Sequence, residues 1–203
     1  MQNIVPELHS LSALILVDVQ QGFDDPSWGP RNNPEAESKI AELLSAWREA
    51  GRPVIHIVHD SLLPASPLHP HMSGNALKPE AQPYAGEPTY RKSVNSAFIG
   101  TTLEVDLRSA EISTLVVVGL TTNHCVSTTT RMAGNSGFTT YVVSDATATF
   151  DRAGLDGRNR RAADVHAAAL SDLDGEFATV IDTATVLKAL HGTRHERLME
   201  TAS

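Results

Sequence analysis

The stretch LVVVGLTTNHCVSTTTRMAGNSG, residues 115–137, joins an apolar run directly to a helical pattern and thereby indicates the fold class. Its first four residues, Leu115–Val118, form the continuous apolar run that is typical of a strand buried on both faces of a parallel sheet. Gly119 follows this run, and His124–Asn135 then shows a helical pattern that Gly137 closes. A strand followed at once by a helix is the repeating unit of α/β folds with a parallel sheet.

The same alternation of apolar runs and helical patterns continues in both directions along the chain. The predicted strands are Ser12–Val17, Pro53–Val58, Leu115–Val118, Thr139–Val143 and Ala178–Ile181, with Thr89–Lys92 as a further short candidate. The predicted helices are Glu35–Ala50, Leu103–Ala110, His124–Asn135, Arg160–Leu173 and Thr183–His191. This order of elements predicts a three-layer α/β/α fold around a mostly parallel sheet.

Length and composition indicate one globular domain. The chain has 203 residues, of which 41% are apolar and 20% are charged, and its net charge of −8 argues against binding to the phosphate backbone of nucleic acids. No window approaches the length of a membrane span, and the N-terminal apolar stretch lacks the basic run of a signal peptide. A single cysteine excludes an intrachain disulfide, so we expect a cytoplasmic protein.

Within this domain we expect a core at about residues 11–191, a proline-rich loop at residues 60–88 and a polar C-terminal tail at residues 194–203. The segment from Asp60 to Asn95 shows no helical period. Its six prolines are Pro64, Pro67, Pro70, Pro79, Pro83 and Pro88. Because loops of this length inside compact domains are usually functional, we expect the loop to shape one wall of a site.

Three reactive side chains follow strand-like segments. Asp18 comes directly after the first strand, Lys92 ends the segment TYRK, and Cys125 lies six residues beyond Gly119. In open α/β sheets, ligands bind outside the carboxyl ends of the strands. Each residue also has a structural interpretation, because such an aspartate often forms a turn, a lysine is usually a solvated charge, and a lone cysteine often packs as a small apolar side chain.

The surroundings of Cys125 favour chemistry. Thr121, Thr122 and Asn123 are good N-cap residues for a helix that begins near His124. A thiol in the first turn of that helix would be stabilised as a thiolate by the helix dipole, and a nearby lysine would lower its pKa further. Exposed backbone N–H groups at the same place suit the oxyanion of a tetrahedral intermediate. The pattern predicts an acyl-transfer site with a cysteine nucleophile.

Four segments together resemble the isochorismatase-like cysteine hydrolases: ALILVDVQQGF at 13–23, KSVNSAF at 92–98, VVVGLTTNHCVSTTTRMAGNSGF at 116–138, and VVSDAT at 142–147. The resemblance extends from about Leu11 to Thr185. It implies that Asp18, Lys92 and Cys125 are the catalytic residues and that six strands form a sheet in the order 3-2-1-4-5-6. It also implies a cis peptide between Leu120 and Thr121, and an oxyanion hole formed by the backbone N–H groups of Thr121 and Cys125.

The superfamily includes nicotinamidase, N-carbamoylsarcosine amidase, ureidoacrylate and biuret amidohydrolases, and isochorismatase itself. Nicotinamidases carry an Asp-x-His metal motif after the second strand, whereas here Asp60 is followed at the second position by Leu62, which argues against nicotinamide and against a divalent metal. Isochorismatases lack the cysteine. We therefore expect cleavage of a C–N bond in a small amide, ureido or carbamoyl compound through a thioester, with no cofactor and no metal. Asp18 would shuttle the proton, and Lys92 would stabilise the thiolate.

Residues that flank the motifs are candidates for the substrate pocket, although each is equally compatible with packing. They are Phe23, Trp28, Asn95, Phe98, His124 and Phe150. The histidines around the start of the loop, His56, His59, His69 and His71, lack the spacing of a metal site. Because small members of the superfamily are often oligomeric, we expect a homo-oligomer, a dimer or a tetramer, that acts on a small molecule.

Three alternatives remain open. One is an isochorismatase-type hydrolase of another small carbonyl or vinyl-ether compound. Another is a non-catalytic binding domain on the same fold. The third is a flavodoxin-like nucleotide-binding protein, against which the acidic segment DVQQGFDDP at 18–26 argues, because it has no glycine-rich phosphate loop.

Overall fold

Six parallel strands form the central sheet of the computed structural model, which describes residue 6 and residues 8–190. The strands are β1 (Ala13–Val17), β2 (Val54–His59), β3 (Thr89–Lys92), β4 (Thr114–Leu120), β5 (Thr139–Ala148) and β6 (Thr179–Ile181). Their order across the sheet is β3-β2-β1-β4-β5-β6, and every neighbouring pair is parallel. The predicted fold class and strand order are confirmed.

Helices cover both faces of this sheet. They are α1 (Ala36–Glu49), α2 (Leu103–Ser109), α3 (Ser127–Asn135), α4 (Ala162–Ser171) and α5, residues 183–190. Alternate residues of a strand point to opposite faces, so Leu14 and Leu16 of β1 pack on the side of α1 and α5, while Ile15 and Val17 pack on the side of α2, α3 and α4. The two apolar cores on either side of the sheet give the three predicted layers.

The chain differs from the predicted elements in three places near the end of the sheet where the strands finish. Thr122–Val126 forms a π-helical turn, so α3 begins at Ser127 and not near His124. Strand β5 continues past Val143 to Ala148 and pairs with β4 through a register shift. A short antiparallel hairpin, Arg152–Ala153 with Asn159–Arg160, precedes α4.

Strands β1 and β4 come unusually close at the point where the strand order reverses. Gly119 of β4 has a φ of 118°, and a Cβ atom built there would lie 2.0 Å from the carbonyl oxygen of Val17. Only glycine fits this position, because it combines a positive φ with direct backbone contact. The close approach brings the residues that follow β1 and β4 to one edge of the sheet.

The proline-rich segment is held against that edge by side-chain hydrogen bonds to backbone. The Asn75 side-chain amide donates to the carbonyl oxygens of Leu68 and His59 at 2.8 and 3.1 Å and to Asp60 Oδ1 at 3.0 Å. Short 3₁₀ turns at Ser73–Asn75 and Pro79–Ala81 interrupt the segment. Within residues 8–190, no helix combines the length and the apolar character needed to cross a membrane. The predicted tail at 194–203 and the last residue of the final predicted helix, His191, lie outside the described residues.

Candidate active site

Asp18 and Lys92 form a buried ion pair beyond the carboxyl ends of the strands. Asp18 follows β1 with a φ of 51°, a conformation that aspartate tolerates better than most residues, and Lys92 ends β3. Because β2 lies between β1 and β3, the two backbones are separated by about 10 Å, a gap that the long lysine side chain can span. Lys92 Nζ donates to Asp18 Oδ2 at 2.6 Å, and both side chains are fully shielded from solvent.

The Cys125 thiol lies beside this pair. Cys125 is buried in the π-helical turn, and its Sγ, an Asp18 carboxylate oxygen and a His59 ring nitrogen all lie within 4.8 Å of one another. Among the described residues, no group hydrogen-bonds to Asp18 Oδ1, although this atom is buried. Asp18 therefore has one oxygen committed to Lys92 and a second oxygen free to accept a proton.

The protonation states follow from burial and from the neighbouring charges. Burial raises the pKa of Asp18, and the Lys92 ammonium opposes that rise. Burial, followed by the negative charge of Asp18, raises the pKa of the Cys125 thiol, again against the influence of Lys92. This corrects the expectation of a lowered thiol pKa. Cys125 precedes α3 and so does not lie in its first turn, where the helix dipole would favour a thiolate. Because its pKa is raised, Cys125 rests as a thiol. The raised pKa of Asp18 makes that carboxylate a competent acceptor for the thiol proton.

His59 belongs to the same group, although the sequence placed it only among histidines without a metal-site spacing. It is the last residue of β2 and pairs in register with Lys92 of β3. Its Nδ1 lies 3.2 Å from Lys92 Nζ, and because an ammonium group can only donate, Nδ1 is the acceptor. The sequence showed only that His59 directly follows the predicted strand Pro53–Val58, and its contact with Lys92 became visible in the structure.

The residues present do not suit a metal ion. Asp18, His59 and Cys125 offer three metal-binding atom types, but the Lys92 ammonium already lies among them and would repel a cation. The Asp60 carboxylate is bound to Arg91, with Nε donating to Oδ2 at 2.8 Å. Both observations add to the argument from Leu62 against a divalent metal, and the absence of a metal stays a prediction.

Thr121 lies at the start of the turn that carries Cys125. The peptide bond between Leu120 and Thr121 is cis, as the resemblance implied. The Thr121 carbonyl oxygen accepts from the backbone N–H of Val126 at 3.2 Å, the i→i+5 bond that defines a π-helical turn, and from that of His124 at 3.1 Å. The use of the Thr121 and Cys125 N–H groups as an oxyanion hole stays a prediction.

Of the residues predicted for the pocket, Asn95 contacts the Cys125 thiol. Its side-chain oxygen lies 3.8 Å from Cys125 Sγ, within reach of the S–H proton, and the residue is exposed to solvent. His124 is also exposed, and it accepts a hydrogen bond from the Arg152 guanidinium of the hairpin. Both exposed residues are neighbours of Cys125, Asn95 through its side chain and His124 along the sequence.

The aromatic residues predicted for the pocket lie in two separate places. Phe150 stacks on Phe23 and Trp28, which are tilted against each other, and the ring centroids lie 5.2–6.1 Å apart in one cluster with Leu120. These rings form an apolar surface next to Leu120, the residue before Thr121. Phe98 instead lies 6.0 Å from the ring of Phe138, which follows α3, so the contact described for it is one of packing.

Comparisons with known proteins identify one family. The family model described as the Isochorismatase domain matches residues 12–185. An uncharacterized isochorismatase family protein of Bacillus subtilis is 51% identical over 171 residues, which are 84% of this chain and 91% of that protein. A crystal structure of an isochorismatase family protein from Chromobacterium violaceum is 48% identical, covers 91% of this chain and 95% of that one, and superposes with a TM-score of 0.88.

More distant relatives carry names that state an activity. A maleamate amidohydrolase of Pseudomonas putida is 27% identical over 88% of this chain and 86% of its own length. Nicotinamidase 3 of Arabidopsis thaliana is 25% identical over 90% of each protein. A streptothricin hydrolase of Streptomyces noursei is 33% identical over 70% of this chain, which is 51% of that protein.

Proposed function

The chain belongs to the isochorismatase family, and we propose that it is a cysteine-dependent hydrolase that cleaves a C–N bond of a small amide, ureido or carbamoyl compound. The observation that carries this proposal is the buried group formed by Asp18, Lys92 and Cys125, in which a proton acceptor, a cation and a nucleophile are in mutual reach. The names of the maleamate amidohydrolase and the nicotinamidase among the relatives support an amide as substrate.

In the first half of the proposed reaction, the free Oδ1 of Asp18 takes the proton of the Cys125 thiol. The thiolate attacks the substrate carbonyl carbon, a C–S bond forms, and the electron pair of the C=O bond moves onto oxygen. The backbone N–H groups of Thr121 and Cys125 hold this oxyanion. Lys92 keeps the carboxyl group in place and compensates the negative charge of the thiolate.

The second half regenerates the enzyme. The oxyanion collapses, the C–N bond breaks, and the departing amine or ammonia takes the proton from Asp18, which leaves a thioester on Cys125. Asp18 then removes a proton from water, which attacks the thioester carbonyl. The thiolate leaves as the acid product forms, and it recovers its proton from Asp18. The raised pKa of this carboxyl group suits it to both directions of transfer.

A screen of small amides and ureides for ammonia or amine release tests the proposal, with Cys125→Ala as the matched control. We expect at least one compound to be hydrolysed by the wild type and not by the variant, and mass spectrometry of the quenched reaction to find acylated Cys125. EDTA is expected to leave the rate unchanged, because Lys92 supplies the positive charge of the site. Hydrolysis that persists in the variant, or that disappears with EDTA and returns with a metal ion, would contradict the mechanism.

Two further expectations from the sequence remain proposals. We propose that the protein acts on a small molecule as a homo-oligomer, a dimer or a tetramer, and that it resides in the cytoplasm. Sedimentation velocity at micromolar concentration tests the first, since a single monomeric species would contradict it, and fractionation of the source cells tests the second.

A further inference from the structure

We propose that His59 is a positioning residue of this site: its neutral imidazole holds the Lys92 ammonium against Asp18 and Cys125, and its protonation disables the site. The inference rests on the proposed function, because it assigns a fourth residue to the same chemistry. It goes beyond the aspartate, lysine and cysteine that the resemblance implied.

The hydrogen-bonding capacity of Lys92 carries the first step of the argument. An ammonium group has three N–H donors and no acceptor. One donor points to Asp18 Oδ2 at 2.6 Å and another to His59 Nδ1 at 3.2 Å. The charge and hydrogen bonding of Lys92 also favour the ionised form of Cys125. His59 therefore supplies one of the acceptors that fix Nζ at the point where it acts on both reacting groups.

The backbone of His59 is fixed on both sides, so its side chain starts from a defined point at the end of β2. Its N–H donates to Gln20 Oε1 at 2.9 Å, and its carbonyl oxygen accepts from Gln20 Nε2 and from Asn75 Nδ2, both at 3.1 Å. The ring itself is half-buried. Burial, together with the positive charge of Lys92, lowers the pKa of His59, which keeps the ring neutral and able to accept at neutral pH.

Four groups face His59 from the surrounding elements. They are Lys92 from β3, Asp18 from the residue after β1, Cys125 from the π-helical turn, and the neighbouring carboxylate of Asp60, which Arg91 neutralises. Protonation of His59 would turn Nδ1 into a donor and place a second cation 3.2 Å from the Lys92 ammonium. Repulsion would displace Lys92 from the thiol, and the new positive charge would also lower the pKa of Asp18, so the carboxylate would become a weaker acceptor for the thiol proton. In this proposal these two losses outweigh the attraction between the imidazolium and the thiolate.

Two substitutions at this position separate the proposed role from simple packing. His59→Asn keeps an acceptor, since the asparagine Oδ1 can occupy the place of Nδ1, but it cannot take up a proton in the range studied. His59→Leu keeps an apolar side chain of similar size and removes the acceptor. His71→Asn is the matched control, because His71 is an exposed histidine of the proline-rich segment.

The primary measurement is the rate of alkylation of Cys125, the only cysteine of the chain, by iodoacetamide between about pH 4 and 8, a range that extends below the ordinary titration of histidine because the pKa of His59 is lowered. We expect His59→Leu to react about 10-fold more slowly than wild type near pH 7.5, and His59→Asn to remain within about 3-fold. At the acid end of this range we expect His59→Asn to react at least about 5-fold faster than wild type, because it lacks the inhibitory protonation. The His71→Asn profile should match that of wild type.

The proposal would be overturned if the acid limb, the alkylation rate at the acid end of the pH profile, were the same in His59→Asn and in wild type. It would also be overturned if His59→Leu reacted as fast as wild type at every pH. If circular dichroism shows that His59→Leu does not fold, the acid limb of His59→Asn decides alone. Alkylation needs no substrate, so this test can be interpreted even if the amide screen fails and contradicts the proposed function. If the protein hydrolyses an amide but its alkylation profile does not change in the His59 variants, only the present inference is contradicted.

Discussion

Two clusters of charged residues share strand β2 and lie on opposite faces of the sheet. His56 and His59 are three positions apart, so their side chains point in opposite directions. His56 joins Arg48 of α1 and Glu87 in what we call the Glu87 cluster. His59 joins Asp18, Lys92 and Cys125 in the Asp18 cluster. Each contains a histidine, a carboxylate and a cation, and we propose catalysis only for the Asp18 cluster.

The difference lies in whether the carboxylate has a free oxygen. Both oxygens of Glu87 are bound, at 2.7 and 2.8 Å by Arg48, at 2.8 Å by His56 and at 2.9 Å by the Tyr84 N–H. Burial opposes ionisation, but these bonds together hold the pKa of Glu87 at about 2. Among the described residues, Lys92 binds Oδ2 of Asp18 while Oδ1 has no hydrogen-bond partner, and burial raises the pKa of this carboxyl group. A carboxylate with hydrogen bonds to both oxygens stays ionised, whereas a carboxylate with one free oxygen can carry a proton between reactants.

The largest expected effect comes from removing the nucleophile of the Asp18 cluster. We expect Cys125→Ser to lower kcat/KM on an identified amide by at least about 10³-fold, because the serine hydroxyl is a far weaker nucleophile at this site. Thermal unfolding should change little, since the two side chains are nearly the same size. Turnover close to that of wild type would show that no thioester forms on this residue.

The next prediction exchanges one carboxylate of each cluster for its amide. Asp18→Asn cannot accept the thiol proton, so we expect kcat to fall by at least about 10²-fold. Glu87→Gln should leave kcat nearly unchanged and lower the free energy of unfolding by about 1–3 kcal/mol, because Arg48 loses its charged partner. Kinetics and urea unfolding of both variants check the contrast. A loss of activity in Glu87→Gln without a loss of stability would remove the distinction between the clusters.

The pKa of Glu87 also predicts how the stability depends on pH. Its pKa falls from 4.5 in the unfolded chain to about 2 in the folded protein, so ionised Glu87 stabilises the fold above about pH 4.5. That contribution is lost as the pH falls toward about 2, because the folded state then also takes up the proton. We therefore expect the difference in unfolding free energy between wild type and Glu87→Gln to shrink across this interval. A difference that stays constant in acid would contradict the assigned pKa.

The smallest effect is expected for Asn95, at the rim of the Asp18 cluster. Its side-chain oxygen lies 3.8 Å from Cys125 Sγ, a weak contact with an exposed residue. We expect Asn95→Ala to change kcat/KM by only about 3–10-fold, in the range of one net hydrogen bond. Asn95→Asp is the companion variant: its negative charge beside the thiol should slow alkylation by iodoacetamide. Equal alkylation rates in Asn95→Asp and wild type would place this side chain away from the thiol in solution.

The sequence by itself determined the sheet and the positions of the three reactive residues. Buried strands such as Leu115–Val118 appear as apolar runs because both faces of a parallel sheet are covered. Since all strands run the same way, residues that follow them, such as Asp18 and Cys125, must meet at one edge. The apolar runs are local patterns, and the meeting of the residues that follow them is a general rule of parallel sheets. Both can therefore be predicted from a sequence alone.

The tertiary structure alone decided which groups surround those residues and how they are charged. His59 becomes part of the site only because β2 passes between β1 and β3, which places its ring against Lys92. The pKa of Cys125 is raised, against the expectation from its helix, because burial and Asp18 act on it across more than a hundred residues of chain. Desolvation and Coulomb interactions depend on distances in space, and separation along the sequence does not encode them.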